Sequence, residues 1–390
     1  MKIGILQRDD TQDVLASSGT LYFMAKALER HVGEVVHLGP DTTRTSHLLL
    51  RGGQVVNRLT QALLRRRISP IHQRLLTLHA ARLFTPRIAA AQCDVLFAPF
   101  ASVEMAALKT SLPIVYHTDM TWADAVDYYA IYTSLLGFAR AEGERIQQAA
   151  LDKAAASVFP SAWAARTVVD HYGIDPSKVS VVPYGANFEP DTVPSRAAAL
   201  DHSLHKGVHL LWIGVSWERK GGAIALQCLT DLLRHGIDAH LVVCGCTPPP
   251  EARHERITVV PFLNKNDPEQ RQRLSQLFLR ANFFLFPTTT EALGIVLCEA
   301  SAHGLPSLVR ETGGVGSVVT NGVNGYLLPP EAEGSAYAEK ILHLSANPEA
   351  YKTLVHTSRQ AYEDRLNWDA WGKAMKPIFC LLYTSPSPRD

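Results

Sequence analysis

Short apolar runs alternate with longer helical patterns along this chain, and this alternation constrains the fold more than any other feature. The strand-like runs of the first half are Ile3–Leu6, Val35–Leu38, Val95–Ala98, Ile114–Tyr116, Ser157–Phe159 and Val179–Val182. Those of the second half are Leu210–Val215, His240–Val243, Ile257–Val260, Phe283–Phe286 and Ser307–Val309. Because strands that alternate with helices form parallel sheets with crossover helices, the pattern predicts an α/β protein built from doubly wound sheets.

The length of 390 residues suggests two domains of ordinary size, at about 150 residues each. Residues 186–207 are polar, contain two prolines and hold no strand-length apolar run, which is typical of an interdomain connection. The resulting division is a first domain over 1–188, a linker over 189–207, a second domain over 208–366, a C-terminal helix over 367–380 and a Ser/Pro-rich tail over 381–390 that we expect to lie outside the fold. Two doubly wound domains that face each other enclose a cleft, and ligands bind beyond the carboxyl ends of the strands.

Composition excludes several classes of protein. The net charge of +1 argues against a nucleic-acid-binding protein, and the six cysteines are scattered without a C-x-x-C pair, which suits a reducing cytoplasm. No apolar run is long enough for a spanning helix, and the run at Ile3–Leu6 is too short for a signal peptide. The motifs of zinc peptidases, α/β-hydrolases, P-loop enzymes and dinucleotide oxidoreductases do not occur, so we expect no metal and no cofactor.

One segment departs from this balanced charge. Residues 42–93 contain no acidic residue and nine arginines, which are Arg44, Arg51, Arg58, Arg65, Arg66, Arg67, Arg74, Arg82 and Arg87. Apolar residues follow at helical spacing in Val56–Leu59–Leu63 and in Ile71–Leu75–Leu78. Two interpretations stay open: the helices bind an anionic membrane surface, with Arg65, Arg66 and Arg67 as the contact, or the arginines solvate the outer faces of packed helices.

The strongest chemical signal is the segment PTTTEALGIVLCEASAHGLPSLV, residues 287–309. A strand ends at Phe286, and a helix is predicted to begin near Ile295 after Gly294. The backbone amides of Gly294, Ile295 and Val296 form a phosphate site at the positive end of the helix dipole. Glu299 lies about one turn further on and can accept two hydrogen bonds from vicinal hydroxyls, as on a ribose. Glu291 precedes Gly294 in the loop, where a sugar beyond the phosphates would lie.

The pair Glu291 and Glu299, followed by EASAHGLPSLV, resembles the donor-site motif of retaining GT-B glycosyltransferases of family 4. The resemblance extends over most of the chain. Its further motifs are SVFPSAWAARTVVDHYG, VSVVPYGAN, IGVSWERKGG at 213–222, TGGVGSVV at 312–319 and NGVNGYLLPP at 321–330. It implies a GT-B fold, in which two Rossmann-like domains face a cleft.

The resemblance also implies roles in the second domain. Glu299 would bind the ribose, Glu291 would hold a hydroxyl of the donor sugar, and Arg219 and Lys220 would neutralise the departing diphosphate without a metal. Further donor contacts are expected from the amides of Gly313 and Gly314. Two positions depart from the family pattern, because Val215 replaces a frequent arginine and Ser317 replaces an acid.

In the first domain, the resemblance implies that His117 contacts the donor sugar near the reacting carbon. Asp119 follows in the same loop, where it binds the acceptor hydroxyl or caps the next helix. Gly19 precedes a helix and either faces the diphosphate or belongs to an ordinary helix cap. Tyr184 and Asn187 contact the acceptor or only form a turn.

The expected function is transfer of a hexose, with retention, from a nucleotide diphosphate sugar to a hydroxyl of a saccharide or lipid-linked acceptor. The resemblance suggests a role in surface polysaccharide, lipopolysaccharide or glycolipid synthesis, in the cytoplasm or peripherally on the inner face of the membrane. Two alternatives remain: a GT-B nucleotide-sugar epimerase, which needs no acceptor, and a non-catalytic membrane-associated protein that binds nucleotide-sugars. In the transfer reaction the nucleotide-sugar is a co-substrate, so no cofactor is expected.

Overall fold

The computed structural model describes residues 1–14, 19–202, 204 and 207–384, and these residues form two compact units. The first unit contains Met1–Val182 together with the chain from Trp371 onward, and the second contains Pro183–Ala370. The polar connection expected at 189–207 belongs to the second unit and includes a short helix, α8, over Arg196–Ala199.

The first unit is built on a parallel sheet that has six strands within the described residues, in the order β2-β1-β3-β4-β5-β6. Its strands are β1 (Lys2–Ile5), β2 (Glu34–His37), β3 (Val95–Pro99), β4 (Ile114–His117), β5 (Ala156–Phe159) and β6 (Val179–Val181). The central strand β3 is buried along its whole length. Such a strand is predicted by a continuous apolar run rather than by alternation, because helices cover both faces of the sheet.

Helices connect these strands. They are α1 (Thr20–His31), α2 (Arg44–Leu64), α3 (Arg74–Ala91), α4 (Ser102–Ala106), α5 (Trp122–Ala125), α6 (Gly137–Lys153) and α7 (Ala162–Asp170). Helix α14 (Trp368–Thr384) starts in the second unit, and its later part packs in the first, where Phe379 lies against Phe97. It continues into the segment 381–390 that the sequence placed outside the fold, and residues 385–390 are outside the described part of the chain.

The second unit repeats the design, with a parallel sheet of six described strands in the order β12-β11-β10-β7-β8-β9. The strands are β7 (Val208–Ile213), β8 (Ala239–Cys244), β9 (Ile257–Val260), β10 (Phe283–Phe286), β11 (Ser307–Arg310) and β12 (Gly325–Leu328). The other helices of this unit are α9 (Gly222–Arg234), α10 (Pro268–Arg280), α11 (Ile295–Ala302), α12 (Gly334–Ser345) and α13 (Pro348–Asp364). Trp212 and Leu210 of β7 lie in its core with no exposed surface.

These two sheets confirm the predicted α/β fold class with doubly wound parallel sheets. Each apolar run of the sequence forms a strand, with ends shifted by at most two residues. Strand β12 was missed, because its four residues GYLL follow Asn324 and precede two prolines, a composition typical of a loop. Ile71 was assigned to a helix and instead lies in the loop before α3.

Candidate donor site

Two loops meet at the carboxyl ends of β7 and β10, which are neighbours in the second sheet. The carbonyl oxygen of Arg219 accepts hydrogen bonds from the Thr289 amide at 2.8 Å and from the Thr289 hydroxyl at 3.0 Å. The Arg219 guanidinium donates in return to the Thr290 carbonyl at 3.1 Å. Gly221 has φ +71°, and a Cβ there would overlap the Pro287 carbonyl oxygen. The loop that carries Arg219 and Lys220 is therefore fixed against the loop that carries Glu291.

Lys220 and Glu291 form an ion pair across these loops. The Lys220 amine also lies 4.6 Å from the centroid of the Phe286 ring, and the Arg219 guanidinium is 3.9 Å from the same Glu291 carboxylate oxygen. Burial lowers the pKa of Lys220, and the adjacent Glu291 carboxylate offsets part of that effect. The structure thus brings together the three charged residues that the sequence assigned to the diphosphate and the donor sugar.

Helix α11 begins where the sequence predicted it. Gly294 is its N-cap with φ +82°, a conformation that L side chains rarely adopt, and a Cβ there would lie 3.0 Å from side chains of Leu297 and Phe286. The first amides of a helix have no partner inside the helix, so those of Ile295 and Val296 are directed outward at its positive end. This is the geometry that binds phosphate groups.

Glu299 lies one turn into α11 and is only 2% exposed. Its carboxylate pairs with the amine of Lys265, which also lies 5.5 Å from the centroid of the Phe188 ring. Sequence reasoning missed Lys265, a single lysine in the loop between β9 and α10. The two residues are 34 positions apart, and no local pattern links them.

The sequence singled out four further positions of the second unit, which are Gly313, Gly314, Val215 and Ser317. Gly313 has φ +50° and Gly314 caps a short 3-10 helix, so both form a tight turn after β11. Val215 is 66% exposed at the end of β7. Arg365 donates to the carbonyl oxygens of Ser317 at 2.9 Å and Val318 at 2.7 Å.

His117 ends β4 in the first unit, as predicted, but its ring has no exposed surface. The ring centroids of Phe97, Phe100 and Trp371 lie 5.9, 6.3 and 6.0 Å from it. Burial in this aromatic environment lowers the pKa of His117 to about 3, so the imidazole is neutral at neutral pH. The expectation of a side chain directed into a ligand site stays a prediction, and it requires this ring to become accessible.

Asp119 follows in the same loop and lines a cavity of about 160 Å³. Aromatic and polar side chains surround this cavity, among them Tyr116, Trp122 and Gln147. The cap of helix α5 is formed by Thr121 and Asp124, whose side chains bond to each other's backbone amides. The capping box of α5 is thus made by other residues, and a role of Asp119 at the acceptor stays a prediction.

Gly19, Tyr184 and Asn187 were predicted to contact the donor or the acceptor, and each also has a structural role in its own unit. Gly19 is the N-cap of α1 with φ +90°, whereas the preceding Ser18 lies outside the described residues. Tyr184 is buried and stacks on Trp368 at 5.7 Å, and the Asn187 side chain accepts a hydrogen bond from the Trp368 indole at 3.0 Å. Tyr184 and Asn187 belong to the second unit, and their roles at the acceptor stay predictions.

The basic segment forms α2, α3 and the loop between them. Arg65 and Arg66 are exposed, while the Arg67 backbone bonds to Ser134 and Leu136 at 2.9 and 2.8 Å. Leu49 and Leu50 of α2 pack against a small core cluster, whereas Leu59 and Leu63 do not pack inward and are 54% and 78% exposed. Within the part of the chain that the structure describes, none of the helices has the length and apolar character needed to cross a bilayer. Across the same residues, no group of three or more His, Cys, Asp or Glu could hold a metal ion.

Solved structures with the same architecture are GT-B glycosyltransferases. The chain superimposes on sucrose-phosphate synthase of Thermosynechococcus elongatus with a TM-score of 0.68 and 17% identity, covering 99% of this chain and 100% of that one. HepE of Anabaena, solved in complex with UDP and glucose, gives a TM-score of 0.64 and 16% identity over 98% of this chain and 100% of that chain. These likenesses confirm the predicted GT-B fold.

Family models identify the class more narrowly. The model described as Glycosyltransferase Family 4 matches residues 20–189, and the model described as Glycosyl transferases group 1 matches residues 207–347. The two matches together cover most of the chain, and the chain belongs to this family of glycosyltransferases, as the motifs around Glu291 and Glu299 indicated.

Among curated proteins, the chain is similar to D-inositol 3-phosphate glycosyltransferase of Streptomyces bingchenggensis, with 27% identity over 54% of this chain and 50% of that protein. It is also similar to spore coat protein SA of Bacillus subtilis, with 24% identity over 66% of this chain and 72% of that protein. The matched region thus spans about half the length of the inositol-phosphate glycosyltransferases.

Proposed function

We propose that this protein transfers a sugar, with retention at the anomeric carbon, from a nucleotide diphosphate sugar to a hydroxyl acceptor. The observation that carries the proposal is the arrangement at the carboxyl edge of the second sheet. At this edge lie the N-terminus of α11, the buried Glu299 one turn further on, and the Lys220–Glu291 pair on the two loops. The α11 amides and Lys220 would bind the phosphates of a donor, Glu299 would bind its ribose, and Glu291 would bind its sugar.

The ion pairs around the site are consistent with a nucleotide-binding role. Glu291 is paired with Lys220 and the buried Glu299 with Lys265, so each carboxylate has a cation beside it. When a diphosphate binds, Lys220 and Arg219 gain an anion, and the donor's hydroxyls can take over part of the carboxylates' hydrogen bonding. The two positive side chains then stabilise the charge that grows on the diphosphate as the glycosidic bond breaks.

Retention follows from the proposed course of the reaction. The acceptor oxygen forms its bond to the anomeric carbon on the face from which the diphosphate leaves, and a leaving phosphate oxygen takes the acceptor proton. No strong protein base is required, which agrees with a neutral, buried His117. The cations of Arg219 and Lys220, with the α11 amides, supply the charge that a divalent metal supplies in other transferases.

The acceptor side of the proposal rests on the first unit. The cavity beside Asp119 is lined by hydroxyl, amide and aromatic groups, a combination that suits a saccharide or other polyol. Proteins that are similar in sequence include glycosyltransferases named for inositol 3-phosphate, and we extend to this chain only the expectation of a hydroxyl-rich acceptor. An epimerase would have no use for such a cavity.

The reaction is tested by incubating the protein with a nucleotide-sugar panel, with and without polyol and lipid-linked acceptors. We expect the anomeric configuration of the donor to be kept in a product that forms only with an acceptor, and activity to survive excess EDTA. Conversion of the donor sugar into its epimer without an acceptor would identify an epimerase. An inverted product, or activity lost in EDTA and restored by manganese, would reject the proposed mechanism.

We further propose that the arginines of residues 42–93 bind an anionic lipid surface, which would place the protein at the cytoplasmic face of a membrane. Each arginine near such a surface contributes about 1 kcal/mol, and salt weakens the attraction. Replacing Arg65, Arg66 and Arg67 by glutamine should reduce co-sedimentation with anionic vesicles and leave nucleotide binding unchanged. If the wild-type protein does not bind anionic vesicles even at low salt, the proposal is wrong and the arginines only solvate the outer faces of helices.

A further inference from the structure

An apolar groove opens on the first unit between α2, α3 and α6. It has a volume of about 390 Å³. Leu48, Val56, Leu75 and Phe138 line it, and these side chains are 69%, 46%, 61% and 62% exposed. Four large apolar side chains around one opening form a surface that soluble proteins rarely leave uncovered.

Two adjacent glycines shape the groove on α2. Gly53 is buried, and a Cβ there would overlap the Gln73 side chain. Gly52 lines the groove, has ordinary helical backbone geometry, and would meet nothing within 4 Å of an added Cβ. Glycine inside a helix is unfavourable relative to residues with side chains, so the open space at Gly52 is maintained against helix propensity.

Positive charge follows the same helix. Arg44, Arg51 and Arg58 are exposed and spaced by seven residues, about two helical turns, so they form one row along α2. Leu48, Val55 and Leu59 lie beside this row and are exposed as well. Glu142 is the acidic residue that lines the groove, and its carboxylate accepts a hydrogen bond from the Arg74 amide at the start of α3.

We infer that this groove binds one hydrocarbon chain of an anionic membrane lipid, whose head group lies against the row of arginines. The inference rests on the proposed binding to an anionic lipid surface and gives that binding a specific site. An apolar groove beside cations and without a matching acidic row is complementary to an anionic amphiphile. It is not complementary to a cationic or a purely polar partner.

The experiment measures the affinity of monoalkyl phosphates, below their critical micelle concentrations, by calorimetry. Each methylene that enters the groove should tighten binding about fourfold, so a dodecyl chain should bind about 200-fold more tightly than an octyl chain. An alkyl trimethylammonium of the same length should bind far more weakly. Absence of a chain-length gradient, or equal binding of the cationic amphiphile, would overturn the inference.

Gly52→Leu fills the groove with a residue that favours helix, so the variant should fold and melt at or above the wild-type temperature. We expect it to lose most of the chain-length gradient, to below about fivefold between octyl and dodecyl phosphate. Ala89→Leu adds the same side chain to an exposed position of α3 away from the groove and should keep the full gradient. Equal gradients in Gly52→Leu and wild type would reject the groove as the site.

A second copy of the chain is the main competing occupant. If sedimentation shows a concentration-dependent dimer that Gly52→Leu abolishes, the groove is a dimer interface and the lipid assignment is wrong. Vesicle binding through Arg65, Arg66 and Arg67 and nucleotide binding by the second unit are measured on the same preparations. Wild-type protein that binds anionic vesicles but shows no chain-length gradient therefore rejects the groove alone, and wild-type protein that shows the gradient but does not bind vesicles rejects the surface proposal alone.

Discussion

Glu299 is the side chain that should distinguish ribose from other ligands. It is 2% exposed and paired with Lys265, so its carboxylate is held in one place beside the N-terminal turn of α11. Hydrogen bonds to a charged group contribute about 1.5–3 kcal/mol each. We expect wild type to prefer a nucleoside diphosphate over its 2′,3′-dideoxy analogue by about 10- to 100-fold, and Glu299→Gln to bind both equally.

The control for this prediction is Glu339→Gln, which removes an exposed carboxylate on α12. It should keep the wild-type preference for ribose in the same titration calorimetry. A Glu299→Gln variant that still discriminates between the two ligands as wild type does would remove Glu299 from the ribose site.

Lys220 should contribute to turnover more than to ground-state binding. Its amine faces charge that grows on the diphosphate during bond breaking, and removal of one such donor typically lowers kcat by about 10²–10³. We expect Lys220→Met to show this loss in kcat with a smaller change in the affinity for the nucleoside. Lys352→Met, on exposed α13, is the matched control.

Lys220→Met also leaves the partly buried Glu291 with the Arg219 guanidinium, 3.9 Å away, in place of its closer cation, which by itself destabilises the loop. The double variant Lys220→Met with Glu291→Gln removes that weakly paired charge, and its kcat is compared with that of Glu291→Gln alone, because Glu291 itself is assigned to the donor sugar. Recovered thermal stability with a kcat still well below that of Glu291→Gln would support the catalytic role, whereas equal kcat in the two variants would show that Lys220 is only structural.

His117 should make the stability of the first unit depend on pH. The folded pKa is about 3 against 6.5 for the free side chain, so between these values the unfolded chain binds one proton more than the folded chain. Stability from this residue is complete above pH 6.5 and falls with decreasing pH, by about 1.4 kcal/mol per pH unit. We expect the pH dependence of urea unfolding to be shallower by up to this amount in His117→Gln. Equal slopes would show that the folded ring titrates normally.

Sequence motifs located Glu291 and Lys220 because both lie in loops that follow strands, and Glu299 because it lies about one turn after a helix start. They could not reveal the burial of His117, which depends on Phe97 of a neighbouring strand and on Trp371 far along the chain. Lys265 was not predicted for the same reason, because its partner Glu299 lies in another element. Motifs report local geometry, and tertiary packing decides which side chains are covered.

At the scale of elements, the loops after β7 and β10 hold each other in place through backbone contacts. Gly221 and Gly236 both have left-handed backbone conformations, with φ +71° and +76°, but only Gly221 lies against another backbone segment. We expect Gly236→Ala to cost about 1 kcal/mol from strain alone and to lower Tm by about 2–4 °C. Gly221→Ala should lower Tm further and reduce kcat, because the loop that carries Lys220 must move. Equal effects of the two substitutions on Tm and kcat would show that the loops are not coupled.

The period of the apolar runs was sufficient to predict the strands of both sheets apart from β12. That strand is short, lies at the edge of its sheet and begins at a glycine whose added Cβ would overlap the Ser307 carbonyl oxygen. Helix α2 shows the opposite limit. Its period is clear, yet Val56, Leu59 and Leu63, which define that period, are exposed, and periodicity alone cannot indicate whether a helix face is covered.

At the scale of the whole molecule, the proposed function assigns different ligands to two units of similar architecture. The second unit would carry the donor site around Glu299 and Lys220, while the first contains the cavity beside Asp119 and the basic, partly apolar surface of α2. Variants in one unit should therefore leave the ligand binding of the other intact. The donor site is the central claim, since the proposals on acceptor and lipid refer to the reaction it supports.

The most direct test of that claim is a thermal-shift panel of UDP, GDP, ADP and their sugars on wild type and Glu299→Gln. A ligand at 100 times its Kd adds about 2.7 kcal/mol, which should raise Tm by roughly 5–10 °C for a unit of this size. We predict such a shift for the nucleotides of one base with wild type, and its loss with Glu299→Gln. A wild-type protein whose Tm responds to none of these nucleotides would contradict the account.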